Sequence, residues 1–174
     1  MGSRHTNKLH ERQKGEIMAR WVDYEPYKDR SSAEFRAKRE MCGLSTYDVG
    51  QDLGVAANTV KRWENPKYFP PSPEAWDYID RMYAAHLLSV DHELDRLLAS
   101  AKDGEPIVVT WCRNGMGASD ADVGRFNAVS HAIAETLIQL GHKVTFRWID
   151  AKAEETQREV TSSFYRTIDP DANI

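Results

Sequence analysis

Cysteine is scarce in this 174-residue chain: only Cys42 and Cys112 are present, and they form neither a CxxC pair nor a Cys/His cluster. That pattern argues against a zinc site and against a disulfide framework, and buried reduced thiols are expected instead. Long apolar runs are also missing. No stretch approaches the roughly 20 uninterrupted apolar residues of a membrane span, and no apolar core follows the basic residues near the N-terminus as a secretory signal would. A cytoplasmic address is therefore expected, with no membrane partner. The chain lacks an overall positive charge as well, its formal net charge being -4. A hydrophobic fraction of 41% is nevertheless enough to bury a core in one medium domain or two small ones.

The charge is unevenly spread. Residues 1–70 carry 13 Lys/Arg against 10 Asp/Glu, and residues 71–174 carry 10 against 17. A local basic excess favours phosphate contact when the cations share a face, whereas the acidic half should stay off nucleic acid.

Residues 1–30 are polar and mixed in charge, with no sustained apolar period, and read as a flexible arm in which Met18 offers an alternative start. Trp21, Tyr24 and Tyr27 beside Lys28 and Arg30 contact DNA, or else pack on the first helix or stay disordered. Ser31 or Ser32 then caps a helix that Gly43 ends. A second helix from Ser45 buries Val49 and Leu53, Gly54 supplies a sharp turn, and a third runs from Ala56 to Glu64 before Asn65-Pro66. Beyond the stiff run FPPSP, Ser72 and Pro73 open a further helical stretch, one helix or two. Its apolar residues Trp76, Ile79, Tyr83, Leu87, Val90, Leu94, Leu97 and Ala101 make a single stripe. Pro106–Cys112 and Lys143–Ile149 have strand character, and Phe126, Val129, Ile133, Leu137 and Leu140 mark a helix between them. A parallel β-α-β crossover follows as the expected connection.

The segment LSTYDVGQDLGVAANTVKRWE, Leu44–Glu64, resembles without a gap the helix-turn-helix of the lambda-repressor-like (XRE) DNA-binding family. Leu44, Val49, Leu53, Val55, Val60 and Trp63 fall where that family buries apolar groups, Gly50 where its two helices cross, and Gly54 at the turn. The resemblance implies that Ala57, Asn58 and Arg62 face base edges: asparagine pairs bidentately with adenine, arginine with guanine, and an alanine methyl touches thymine. Thr46, Thr59 and Lys61 would hold the phosphate backbone. Thr46 replaces a frequent glutamine and Ala56 a frequent Ser or Thr, so one phosphate contact and one helix cap are weakened. Glu64 sits where the family places an acid paired with a first-helix arginine, and Arg39 matches that partner, so a structural ion pair is implied.

The expected fold class is α+β: an N-terminal all-α helix-turn-helix domain (31–70), an amphipathic helical connector (71–103), and a small C-terminal β-α-β domain (104–150) that dimerises, with a polar tail from 151. The stripe serves either as a dimer seam, through Tyr83, Leu87, Val90 and Leu94, or as the face that closes the local core; a lone β-α-β is marginal, and pairing with a second copy would extend its sheet. The loop Asn114-Gly115-Met116-Gly117 with Asp150 evokes a phosphate site, but Asp120 occupies the third glycine position of GxGxxG. His131 has no orienting partner in the sequence, so no catalytic residue, cofactor or metal is expected. The chain thus reads as a repressor that occupies an operator in double-stranded DNA as a homodimer, its layout loosely resembling phage autorepressors, including those accompanying anti-CRISPR genes. The alternative is an antitoxin-like protein whose C-terminal half grips a protein partner and whose DNA binding is autoregulatory.

Overall fold

The computed structural model describes Tyr27, residues 29–113 and residues 119–149. Trp21, Tyr24 and Lys28 of the expected arm, the Asn114–Gly117 loop, Asp150 and the tail from 151 lie outside the described residues. The order is α1 (Ser32–Met41), α2 (Thr46–Asp52), α3 (Ala57–Trp63), α4 (Pro73–Ser100), β1 (Ile107–Trp111), α5 (Asp120–Gln139) and β2 (Val144–Trp148). The architecture is mixed helix and strand, compatible with the α+β class. The stretch opened by Ser72 and Pro73 is one helix: Ser72 Oγ accepts from the Ala75 amide at 3.2 Å, and Pro73 takes the first position, where its missing N–H costs nothing. Among the described residues, no helix is long and apolar enough to cross a membrane, and no group of three or more His, Cys, Asp or Glu is placed to hold a metal ion.

The chain divides into two compact units. One comprises the described residues up to Lys38 with Thr46–Ile79, and the other Arg39–Ser45 with the described residues from Asp80 onward. The first is organised by aromatic side chains. Phe35 is fully buried and meets Trp63 and Trp76 edge-on, with centroids 6.0 and 5.3 Å apart, the arrangement that the ring quadrupole favours. Ser31 caps α1 by accepting from the Glu34 amide at 3.1 Å. Two residues assigned to a flexible arm are instead part of this packing. Tyr27 stacks on Trp76 at 6.4 Å and donates its hydroxyl to Asp77 at 2.7 Å. The Arg30 guanidinium lies 3.8 Å from the Trp76 ring centroid and pairs with Glu34 at 2.7 Å. A cation held against a ring and a carboxylate gains from both, which is why Arg30 folds back rather than reaching outward. This pairing, helped by Lys38 at 3.0 Å, holds the Glu34 carboxyl below its usual range against a smaller opposing effect of burial.

The second unit contains the two-stranded parallel sheet, with Ile107 beside Val144 and Trp111 beside Trp148. Pleating places Ile107, Val109, Trp111, Val144, Phe146 and Trp148 on one face. Ile107 and Val109 pack there with Leu97, Ile133, Ala134 and Leu137 into a core that Val90, Leu94 and Val129 flank. Asn127 closes the end of β1: its amide accepts from the Cys112 N–H at 2.8 Å and donates to the Cys112 carbonyl at 2.9 Å. Ser119 caps α5 by accepting from the Asp122 amide. Burial pushes the Asp122 carboxyl up, but the Ser119 hydroxyl and Arg125 together bring it below its usual range. Both cysteines are buried and neither is in a disulfide.

Gly43 ends the turn after α1 with φ +68°, a left-handed conformation that glycine adopts without strain. It also approaches α5 at Gly124 so closely that a methyl group on either glycine would overlap the backbone carbonyl of the other.

The α4 stripe is only partly the buried face. Trp76, Ile79 and Leu97 are buried, but Leu87 is 49% exposed, and Ala85 and His86 are the buried residues beside it. Burial also lowers the readiness of His86 to protonate, and its ring stacks on Tyr83 at 6.4 Å.

Candidate nucleic-acid interface

Two short helices and a tight turn form the candidate surface. After α2 the chain bonds back on itself: Leu53 N–H donates to the Val49 carbonyl, Gly54 N–H to Gln51 and Val55 N–H to Gly50 at 2.8 Å. Gly54 completes the reversal at φ +65° with open space around it, so backbone conformation alone asks for glycine there. Gly50 is required for a different reason. A methyl carbon at that position would lie 2.7 Å from the Val55 carbonyl oxygen and 3.2 Å from the Ala57 nitrogen, so only a residue without Cβ lets α2 and α3 meet this closely. Val49, Gly50, Val60 and Trp63 are buried, and Asp52 accepts from the Tyr78 hydroxyl at 2.5 Å.

Burying Val60 and Trp63 fixes which side of α3 faces water. Asn58, Lys61 and Arg62 are exposed and Ala57 is half-buried, a set spaced one, four and five residues apart on a helix of 3.6 residues per turn. They share the outer face. α3 has no acid in its first turn, and Lys61 and Arg62 sit in its last. Thr59 is half-buried at the margin of this face, and Thr46, also half-buried, opens α2. Ala56 precedes α3 in an extended conformation and supplies no side-chain cap. The Ala56 carbonyl instead accepts from the Thr59 amide at 2.8 Å, so the helix starts on backbone bonds alone.

Two aromatic residues join the surface without having been singled out in the sequence. Tyr47 on α2 is 63% exposed, and Tyr68 lies 5.9 Å beneath the Arg62 guanidinium. Tyr68 follows the turn in which the Asn65 side chain accepts from the Lys67 amide at 3.0 Å. The available signal was that Asx turn, which brings the chain back toward the last turn of α3.

Arg39 has a clear structural role. It is 8% exposed, donates to the Leu44 carbonyl at 2.6 Å and pairs with Glu40 at 3.3 Å. Glu64 forms the C-cap of α3, its amide donating to the Val60 and Arg62 carbonyls. Arg39 and Glu64, the expected ion pair, belong to different units. Of the dimer-seam candidates, Val90 and Leu94 pack on the second unit's own core, while Tyr83 is half-buried and Leu87 exposed.

No protein-family model matches the chain, and neither a curated protein nor a solved structure matches it.

Proposed function

We propose that this protein is a sequence-specific double-stranded DNA-binding transcriptional regulator of the XRE type, a repressor that acts in the cytoplasm by occupying an operator as a homodimer. Under this reading 31–70 is the helix-turn-helix domain, 71–103 the connector and 104–150 the dimerising α/β domain. The observation that carries it is the Gly50 contact, which brings α3 against α2 with Asn58, Lys61 and Arg62 outward. In the major groove, Asn58 and Arg62 read base edges and Ala57 offers a methyl surface, while Lys61, Thr59 and Thr46 fix the backbone. Tyr68 restrains Arg62 from beneath. The Arg39–Glu64 pair completes the scaffold.

No enzyme is needed to account for the second unit. Asp120 and Asp122 occupy the first turn of α5, where a nucleotide phosphate would meet negative charge instead of bare amides.

The test is binding to the DNA upstream of the protein's own gene, followed by fluorescence anisotropy. Arg62→Ala and Asn58→Ala should each weaken binding by about 1–3 kcal/mol and relax preference at one base position. Lys61→Ala should weaken all sequences alike and reduce the salt slope by about one. Wild-type affinity in the Arg62 and Asn58 variants would overturn the assignment.

A further inference from the structure

The sheet of the second unit is unfinished on one side. A two-stranded sheet is marginal by itself, and parallel strands are ordinarily covered on both faces. Here α5 packs chiefly over β1. Phe146 and Trp148 are left 53% and 61% exposed on the same face as the buried Ile107 and Val109. With Trp111 and Arg147 they line an open cleft, Trp111 meeting Phe146 edge-on at 6.1 Å. Given that an aromatic side chain offers roughly 150–250 Å², Phe146 and Trp148 leave on the order of 250 Å² in water. The outer edge of β2 is open as well. The Lys143 carbonyl and the Ile149 amide bond to β1, so alternation turns the backbone groups of Val144, Phe146 and Trp148 away from it.

We infer that the occupant of this edge is a second copy of the chain, with β2 pairing antiparallel to its own equivalent about a two-fold axis at Phe146. This deepens the homodimer part of the proposed function and rests on that part alone.

A two-fold axis normal to a sheet makes identical strands antiparallel and returns each face to itself, so the axis must pass midway between one residue of β2 and the same residue of the second copy. Centring it on Thr145 sets Lys143 opposite the second copy's Arg147, and centring it on Arg147 sets that residue opposite itself. Like charges directly opposed across a ladder are destabilising. Centring it on Phe146 sets Thr145 opposite Arg147 and Val144 opposite Trp148, with no opposed charges, and gives every outward-facing backbone group of β2 a partner. The result is a four-stranded sheet in the order β1-β2-β2-β1, with the Phe146 and Trp148 rings of both copies meeting on the face between the two α5 helices. The pairing also leaves Val90 and Leu94 in the intramolecular core where the structure has them.

Cysteine cross-linking in the full chain tests the register, because the native thiols are buried. Opposed residues of a hydrogen-bonded antiparallel pair have Cα atoms about 5.5 Å apart, within disulfide reach, and diagonal neighbours lie about 7–8 Å apart. Phe146→Cys should give a covalent dimer on mild oxidation. Thr145→Cys and Arg147→Cys should each stay monomeric on a denaturing gel, but the Thr145→Cys, Arg147→Cys double variant should cross-link. In light scattering, wild type should be a dimer at micromolar concentration and Trp148→Glu a monomer that retains its helical circular dichroism. Efficient cross-linking of Thr145→Cys or Arg147→Cys alone would overturn the register. A monomeric wild type, or a Trp148→Glu dimer as tight as wild type, would overturn the surface. Cross-linking as described without any DNA binding would remove the regulator and leave this interface standing, whereas DNA binding sensitive to Arg62→Ala in a monomeric wild type would do the reverse.

Discussion

Replacing Gly124 by alanine sets two effects against each other, and the structure decides the sign. Gly124 lies inside α5, where alanine is intrinsically better than glycine by about 1 kcal/mol. On an open helix surface the variant would be stabilised by that amount. Here the added methyl overlaps the Gly43 carbonyl, a backbone group that cannot swing aside as a flexible side chain would. Overfilling a packed contact typically costs about 1–3 kcal/mol, and a clash with backbone belongs in the upper part of that range, about 2–3 kcal/mol, so a net loss of about 1–2 kcal/mol is expected after the helix gain. For a chain of this size that lowers Tm by roughly 2–8 °C. Gly43→Ala should be worse. It adds left-handed backbone strain of about 1–2 kcal/mol, overlaps the Gly124 carbonyl and brings its methyl to 2.9 Å from Ala128 Cβ. Because both substitutions break one contact, the double variant should lose less than the sum of the two. Gly141→Ala is the control: its φ is +86° with nothing within 4 Å, so only the backbone contribution remains. Urea titration followed by circular dichroism measures all four, with the slope checked for constancy. A Gly124→Ala protein as stable as wild type, or more stable, would refute the close approach.

The remaining expectations concern polar groups. Arg39→Met removes the donor to the buried Leu44 carbonyl and should cost about 1.5–3 kcal/mol; a double-mutant cycle with Glu64→Gln measures whether the proposed ion pair adds coupling. Asn127→Ala loses both bonds to Cys112, so the Cys112 amide should exchange faster and stability should fall by about 1–3 kcal/mol. Acidification should destabilise the protein through two kinds of group. Burial disfavours protonated His86, so between its folded value and the unfolded value near 6.5 the unfolded chain binds more protons and stability declines as pH falls. Glu34, whose carboxyl is held low by Arg30, contributes stability above the ordinary carboxylate range that is lost as pH falls through its folded value. Imidazole NMR should place His86 below 6.5, and His86→Gln should flatten the upper part of the stability profile.

Residues whose roles are set by local backbone geometry were legible from the sequence alone. Gly54 at the turn, Ser72-Pro73 at the start of α4 and the apolar periods of β1, α5 and β2 specify their elements because each acts within a few residues of itself. Asn58, Lys61 and Arg62 were singled out by the family resemblance, and with Val60 and Trp63 buried they lie exposed on one face of α3. What escaped depends on partners distant in the chain. Arg30 and Tyr27 fold onto Trp76, and no spacing rule links positions so far apart. Along α4, spacing placed Leu87 and Val90 in one stripe, but the folded chain buries His86 and leaves Leu87 49% exposed. The alternation of Lys143–Ile149 marked a strand, but how much of its face the helices would cover was not in that pattern: the core takes in Val144 and leaves Phe146 and Trp148 in water.

Cys42 and Cys112, 2% and 8% exposed, make the protein its own stopwatch. A thiol reagent reaches them only when their surroundings open, so the rate of labelling under native conditions reports the free energy of that opening. Cys42 adjoins the Gly43–Gly124 contact, and Cys112 is bracketed by Asn127 and packed with Val123 and Ile149. The two sulfurs therefore time the loosening of two different seams within one unit, without any cysteine having to be introduced.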